Sequence, residues 1–244
     1  MLPELASRPV VSIPNGFDAA DFAGPRPTRQ DGRLRIVHTG YLHTELGELH
    51  RRRHFLRRGL GGSVTGLDIL TRSHVFLIDA INGLLDRDPT LRDVVELHLA
   101  GVANEVDERI SSTCPVVTRH GYVSHADSIE LMRSADLLFL PLHNLPRGMR
   151  ATIVPGKTYE YLASGTPILA AVPPGDARDI LTDAGNATVV EPNDVDGLAA
   201  AILAALDRRR KGVAPGAPRA DVVARFEYRK LAGDLASVFD QVLA

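Results

Sequence analysis

The sequence predicts an α/β fold, a Rossmann-like doubly wound parallel sheet, and three observations carry that reading. Short runs rich in Val, Ile and Leu recur along the chain, and longer helical patterns separate them, as in parallel strands joined by crossover helices. The third observation is size: 244 residues with 44% apolar content supply the core of one large α/β domain.

In chain order, Val10 to Ile13 reads as a first short strand and Leu34 to His38 as a second. A helical period follows from Ser73 to Arg87, then a strand from Val94 to Leu99, a helix from Ala103 to Ser111 and a strand from Val116 to His120. Ser124 with Asp127 three residues on resembles a capping box, so the next helix runs from His125 to Ser134. Leu137 to Pro141 is a strand with Asp136 before it. Pro155 suits the first turn of a helix over Gly156 to Ser164. The strand Pro167 to Ala171, the helix Ala177 to Ala184, the strand Ala187 to Val190 and the helix Val195 to Arg209 complete the alternation. Arg208 to Arg219, with Pro215 and Pro218, reads as an exposed connection to a last helix over Glu227 to Leu243.

One stretch breaks the rhythm. Leu42 to Arg72 carries Arg51, Arg52, Arg53, Arg57 and Arg58, then Gly59, Gly61, Gly62 and Gly66, with no sustained helical or strand period. A long irregular insertion in a compact domain reads as a lid or a disordered loop. Its His50 and His54, four apart, have the spacing of metal ligands. No glutamate completes the H-E-x-x-H pattern, and the surrounding arginines favour a solvated basic segment.

Bulk charge excludes several roles. A net charge of -2 gives no global attraction to nucleic acid or an anionic membrane, so anion recognition must be local. Cys114 is the single cysteine, which excludes an internal disulfide, fits a reducing compartment and reads as a small buried residue beside Pro115. No cationic and apolar leader opens the chain, and no apolar run approaches the ~20 residues of a membrane span; a cytoplasmic protein is expected.

The chemistry concentrates in Pro155 to Pro167. Free N–H groups and the helix dipole at Gly156 form an anion site. Lys157 and Glu160 are three apart on one helix face, so the ammonium could neutralise a diphosphate while the carboxylate accepts ribose hydroxyls. The same spacing equally describes a surface ion pair on a helix whose Tyr159, Leu162 and Ala163 face the core. Ala151 to Thr158 also fits the loose phosphate-loop pattern of triphosphatases. That reading needs a strand running directly into the loop and a second strand ending in aspartate, and the sequence offers neither. Gly40, after a strand in His38-Thr39-Gly40-Tyr41, either lets a phosphate or sugar approach the backbone or is a plain turn glycine. No G-x-G-x-x-G follows a strand, which disfavours a nicotinamide dinucleotide.

In order, Val11-Ser-Ile-Pro-Asn-Gly-Phe-Asp18 with Phe22, Leu34 to Gly40, Leu97-His-Leu-Ala-Gly101, His120-Gly-Tyr-Val123, Ser134-Ala-Asp-Leu-Leu-Phe-Leu-Pro141 and Pro155 to Leu169 resemble the C-terminal, donor-binding domain of a GT-B glycosyltransferase of retaining family 4. The resemblance covers about Pro9 to the C-terminus. It implies a core over about 9–212, an insertion over 42–72, a terminal helix over 227–243, and an N-terminal acceptor domain absent from the chain. It further implies binding of a UDP- or GDP-linked sugar, with no other cofactor and no metal, for retaining transfer to a glycan or glycolipid acceptor in polysaccharide biosynthesis. The chain alone would then bind donor with little turnover. The expected partners are an acceptor-binding domain or separate subunit, with no nucleic acid, and peripheral membrane association through that missing part. A GT-B sugar-nucleotide epimerase, a non-catalytic nucleotide-binding domain and a phosphate-loop ATPase are the alternatives.

Residue by residue, the resemblance assigns Gly156, Lys157 and Thr158 to the phosphate-binding helix start and Glu160 to the ribose. Gly40 and Tyr41 fall in the first glycine turn; Gly121, Tyr122 and Val123 fall in the loop near the base. The partner glutamate, eight positions before Glu160, is replaced by Thr152. The cations expected after the first glycine turn are displaced by the insertion.

Overall fold

The computed structural model describes residues 10–57 and 66–243, with side chains described over 10–53 and 66–242. Arg58, Gly59, Gly61 and Gly62 of the insertion lie outside these residues. Six parallel strands form one sheet: β1 (Leu34–Thr39), β2 (Val95–Ala100), β3 (Val117–Gly121), β4 (Leu137–Pro141), β5 (Ile168–Ala171) and β6 (Ala187–Val190). Their order is β3-β2-β1-β4-β5-β6, the doubly wound arrangement with its switch point between β1 and β4.

Alternation along β4 shows why these runs form strands. Leu137 and Phe139 pack into the core on one face, Leu138 and Leu140 into the core on the other, and all four are at most 2% exposed. A run apolar at every position can only be buried this way between two layers of helices. One layer holds α2 (Val75–Arg87), α3 (Glu105–Ser111) and α7 (Val195–Arg210); the other holds α4 (His125–Ser134), α5 (Gly156–Ser164) and α6 (Asp176–Ala184). Ser124 caps α4 by accepting the Asp127 N–H at 3.1 Å. Cys114 is buried, and burial pushes its thiol pKa up.

Three expectations need correction. Val10 to Ile13 forms no strand: Val10 is 91% exposed, and pairing begins only at Phe17, which bridges Glu227 ahead of the terminal helix. The insertion is not irregular throughout, because Thr44–Arg57 forms a helix, α1, on which Gly47 admits the Leu70 backbone. Its ends meet where the His43 N–H donates to Arg72 O at 2.9 Å, so the excursion leaves and re-enters the fold at one point. Finally, Arg208 to Arg219 is only partly a connection, since α7 runs to Arg210 before a turn leads to a short helix, α8 (Ala220–Val223). Tyr228–Leu243 forms the terminal helix, α9. No helix among the described residues is long and apolar enough to cross a membrane.

Candidate functional site

Helices antiparallel to parallel strands present their N-termini at the carboxyl edge of the sheet, where three glycine turns stand side by side. Gly40 N donates to Ala100 O at 2.7 Å and Gly101 N donates to Gly121 O at 2.8 Å, lacing the ends of β1, β2 and β3 together. Gly101 has φ +145°, and a Cβ there would lie 2.3 Å from Gly40 O. Only glycine permits that approach.

α5 starts beside this row. Tyr161, fully buried, accepts the Thr39 N–H at 3.0 Å through its phenol oxygen, which fixes α5 against the end of β1; burial pushes its pKa up to about 12. The side chain of Lys157 crosses above Gly40, whose Cβ, if present, would lie 3.5 Å from Lys157 Cε. Lys157 Nζ donates to Glu160 Oε2 at 2.9 Å, with both side chains partly exposed. The N–H groups of Gly156 and Lys157 have no acceptor among the described residues. Asn15 reaches the same helix start, 3.2 Å from where a Gly156 Cβ would be.

Thr158 does not face a ligand. Its side chain is fully buried with an unpartnered hydroxyl, and its N–H is spent on Pro155 O at 3.0 Å. At the third helical position it turns to the core beside Tyr159 and Leu162. Tyr41 is 55% exposed with its ring 5.5 Å from that of His43, and Tyr122 is 83% exposed on the β3–α4 loop with Val123 half-buried beside it. Thr152 lies in the stretch between β4 and α5 with Ala151, Arg150, His143 and Arg72, around a cavity of about 150 Å³. No strand feeds Gly156: after Pro141 the chain runs irregularly to Pro155, and a phosphate loop is thereby ruled out in geometry.

Sequence reasoning missed Arg72 and the histidines near it. Because the excursion of α1 closes at His43 and Arg72, the Arg72 backbone lies beside His43, three residues past Gly40, in the region where a diphosphate-clamping cation was expected. Burial lowers its pKa, and no carboxylate lies within 4.0 Å of its guanidinium among the described residues. By contrast, Arg51 of α1 is paired with Asp68 and Arg52 with Glu48, so these members of the basic run are already satisfied. His143 Nε2 lies 3.1 Å from His43 Nδ1; burial first, then Arg72, lowers the pKa of both, that of His143 to about 4. The pair is neutral near pH 7, one ring donating and the other accepting. The signal that could have found Arg72 is the closure of the excursion, and no sequence period encodes it. Among the described residues no cluster of three or more His, Cys, Asp or Glu stands where it could hold a metal ion; the His54 side chain, the other half of the His50 spacing, lies outside them.

A family model described as Glycosyl transferases group 1 matches residues 65–208. Glycogen synthase of Mycobacterium tuberculosis (strain CDC 1551 / Oshkosh) is 26% identical over 237 residues, which cover 94% of this chain and 48% of that protein. D-inositol 3-phosphate glycosyltransferase of Geodermatophilus obscurus is 29% identical over 143 residues, covering 54% of this chain and 30% of that protein. The chain spans half or less of the length of these curated relatives. Among solved structures, Anabaena Alr3699/HepE in complex with UDP-glucose is similar with a TM-score of 0.60 at 18% identity, covering 94% of this chain and 57% of that one. Sucrose-phosphate synthase from Thermosynechococcus elongatus gives a TM-score of 0.58 at 16% identity over 95% of this chain and 52% of that one. These likenesses show a shared fold, the Rossmann-like half of the GT-B glycosyltransferases.

Proposed function

The chain belongs to the glycosyl transferases group 1 family, and from that premise we propose that it is the donor-binding part of a glycosyltransferase, holding a nucleoside diphosphate sugar at the carboxyl edge of its sheet. The observation that carries this reading is the Lys157–Glu160 pair at the start of α5, whose lysine side chain crosses above the Gly40 turn, with Arg72 returning to the fold at His43, three residues past that turn. A diphosphate over that turn is met by two free N–H groups, the positive helix end and two cations. Glu160, one turn further in, accepts the ribose hydroxyls. The base lies against the exposed Tyr122 and the half-buried Val123, Gly121 and Tyr41 leave it room, and the sugar lies over Thr152.

Transfer breaks the bond between the sugar and the diphosphate, and the leaving group gathers negative charge. Lys157, Arg72 and the α5 dipole stabilise that charge as it forms, which is the larger part of what a donor site contributes to rate. With the cations supplying this role, the proposed reaction needs no metal. We further propose retention of configuration, a glycan or glycolipid acceptor in polysaccharide biosynthesis, a cytoplasmic setting, and an acceptor-binding domain or separate subunit that completes the site and brings it to a membrane surface. Glycosyl transfer by this chain alone would be slow. UDP accompanies the Anabaena structure as part of its ligand and is the first nucleotide to test.

Calorimetric titration with UDP, GDP, ADP and ATP, each with and without Mg²⁺, tests the reading. Expected is saturable binding of UDP or GDP that does not require Mg²⁺ and weakens in Glu160→Ala. Binding of ATP alone, dependent on Mg²⁺, would overturn it.

A further inference from the structure

At the opposite edge of the sheet, the amino ends of β1, β4 and β5 open into a cleft of about 390 Å³ that the donor reading leaves unused. Leu34 begins β1, Asp136 precedes β4 and Pro167 precedes β5; the turn at Gly212 to Pro215 after α7 forms the facing wall. Strands of this length put the cleft roughly 15–20 Å from the Gly40 turn. Its volume is that of a small-molecule site.

Five arginines line it, Arg26, Arg29, Arg133, Arg208 and Arg209, against one carboxylate, Asp136. That carboxylate is taken by Arg29 at 2.9 Å and by Arg209. Arg29 also holds Asp31 at 2.7 Å and Glu96 at 2.9 Å. Arg26, Arg133 and Arg208 have no carboxylate within 4.0 Å among the described residues, so the cleft keeps an excess of positive charge.

Helix C-termini point toward this edge, and their carbonyls would repel an anion. Here they are covered. Arg26 donates to Arg133 O at 2.9 Å, Ala135 O at 2.9 Å and Thr166 Oγ1 at 2.8 Å, and Arg29 donates to Ser134 O at 3.4 Å. Arg133 in turn donates to the carbonyls of Ala23, Gly24 and Pro25. These bonds hold two guanidiniums in place before any ligand arrives. The guanidinium of Arg208 makes no hydrogen bond among the described residues, and Leu34, Pro167, Val213 and Pro215 supply an apolar wall beside it.

We propose that this cleft binds an organic phosphate monoester, its head paired with Arg208 and Arg26 and its body on the apolar wall. Uncompensated guanidiniums favour a dianionic, multiply accepting phosphate over a singly charged carboxylate. The site is separate from the donor edge and does not rest on the donor reading.

Calorimetric titration of glycerol 3-phosphate into the chain, with and without UDP, tests the proposal, with glycerol and acetate as controls. Expected is saturable binding of glycerol 3-phosphate that UDP does not displace, and none of glycerol or acetate. Arg208→Ala, which removes no internal bond, weakens it about tenfold, the worth of one charge-assisted hydrogen bond. Val213→Trp, filling the cleft from an exposed turn, abolishes it while circular dichroism stays unchanged. No binding, binding unaltered in Arg208→Ala and Val213→Trp, equal binding of acetate, or displacement by UDP would each overturn the proposal.

Discussion

Lys157 Nζ lies 2.9 Å from Glu160 Oε2, and the same lysine side chain passes over the Gly40 turn. The pair therefore satisfies itself in the free protein. A diphosphate that draws Nζ away leaves the carboxylate to accept ribose hydroxyls, and one ligand then replaces a single ion pair with several charge-assisted bonds.

Glu160→Ala should accordingly separate binding from stability. A partly exposed ion pair contributes at most about 1 kcal/mol to folding, so the urea midpoint should hardly move. Loss of a charged acceptor costs about 1.5–3 kcal/mol in binding, roughly a 10- to 100-fold weaker Kd for UDP by calorimetry. An unchanged Kd would remove Glu160 from the ribose role.

Arg72→Ala tests the residue that closes the α1 excursion. Its cation has no carboxylate to leave orphaned among the described residues, so folding should tolerate the change. Affinity for UDP should fall about tenfold or more while affinity for uridine, which lacks the diphosphate, stays the same. An equal loss for both would point to a collapse of the cleft.

Gly101 and Gly121 offer a paired test of the carboxyl edge. A Cβ at Gly101 would meet Gly40 O at 2.3 Å, whereas one at Gly121, at φ +66°, would meet nothing within 4 Å. Gly121→Ala carries only the left-handed backbone cost of about 1–2 kcal/mol. Gly101→Ala adds a backbone clash and should cost at least about 2 kcal/mol more by chemical denaturation. Equal losses would show that the edge relaxes.

The fold was legible where one physical signal ruled. β4 comes out at its read boundaries because an uninterrupted apolar run can only be buried between layers, and α4 because Ser124 fixes its start. Val10 to Ile13 misled because composition cannot say whether a sheet edge is within reach. α1 was hidden because its arginines mask any apolar period; its packing rests on Gly47 against Leu70. In the site, Lys157 and Glu160 share a face as their spacing requires, while Thr158, next in the same motif, turns inward. Arg72 and Asn15 reach the site through chain closure over long separations, and no local pattern carries that information.

Acid should destabilise the protein well above the usual carboxylate range. His38 Nδ1 donates to Phe139 O at 2.9 Å, its Nε2 is buried without a partner, and burial lowers its pKa from 6.5 to about 4. His143 is lowered to about 4 as well, by burial and then by Arg72. For a histidine held neutral, the unfolded chain takes up a proton below 6.5 that the folded chain refuses until about 4. Its contribution to stability is thus full above the unfolded pKa and is lost as pH falls between those values. The slope for the fully buried His38 is on the order of 1.4 kcal/mol per pH unit inside that window, and His143, half-buried, adds less. Carboxylates held low by arginines, such as Asp31 and Glu96, add their loss only at lower pH. Urea midpoints should therefore be level from about pH 8 to 7 and decline from about pH 6.5 toward 4, and His143→Gln should flatten part of that decline. A midpoint that stays level down to about pH 5 would mean that His38 protonates in the folded state at its ordinary pKa, and that its buried Nε2 has an acceptor the fold does not otherwise account for.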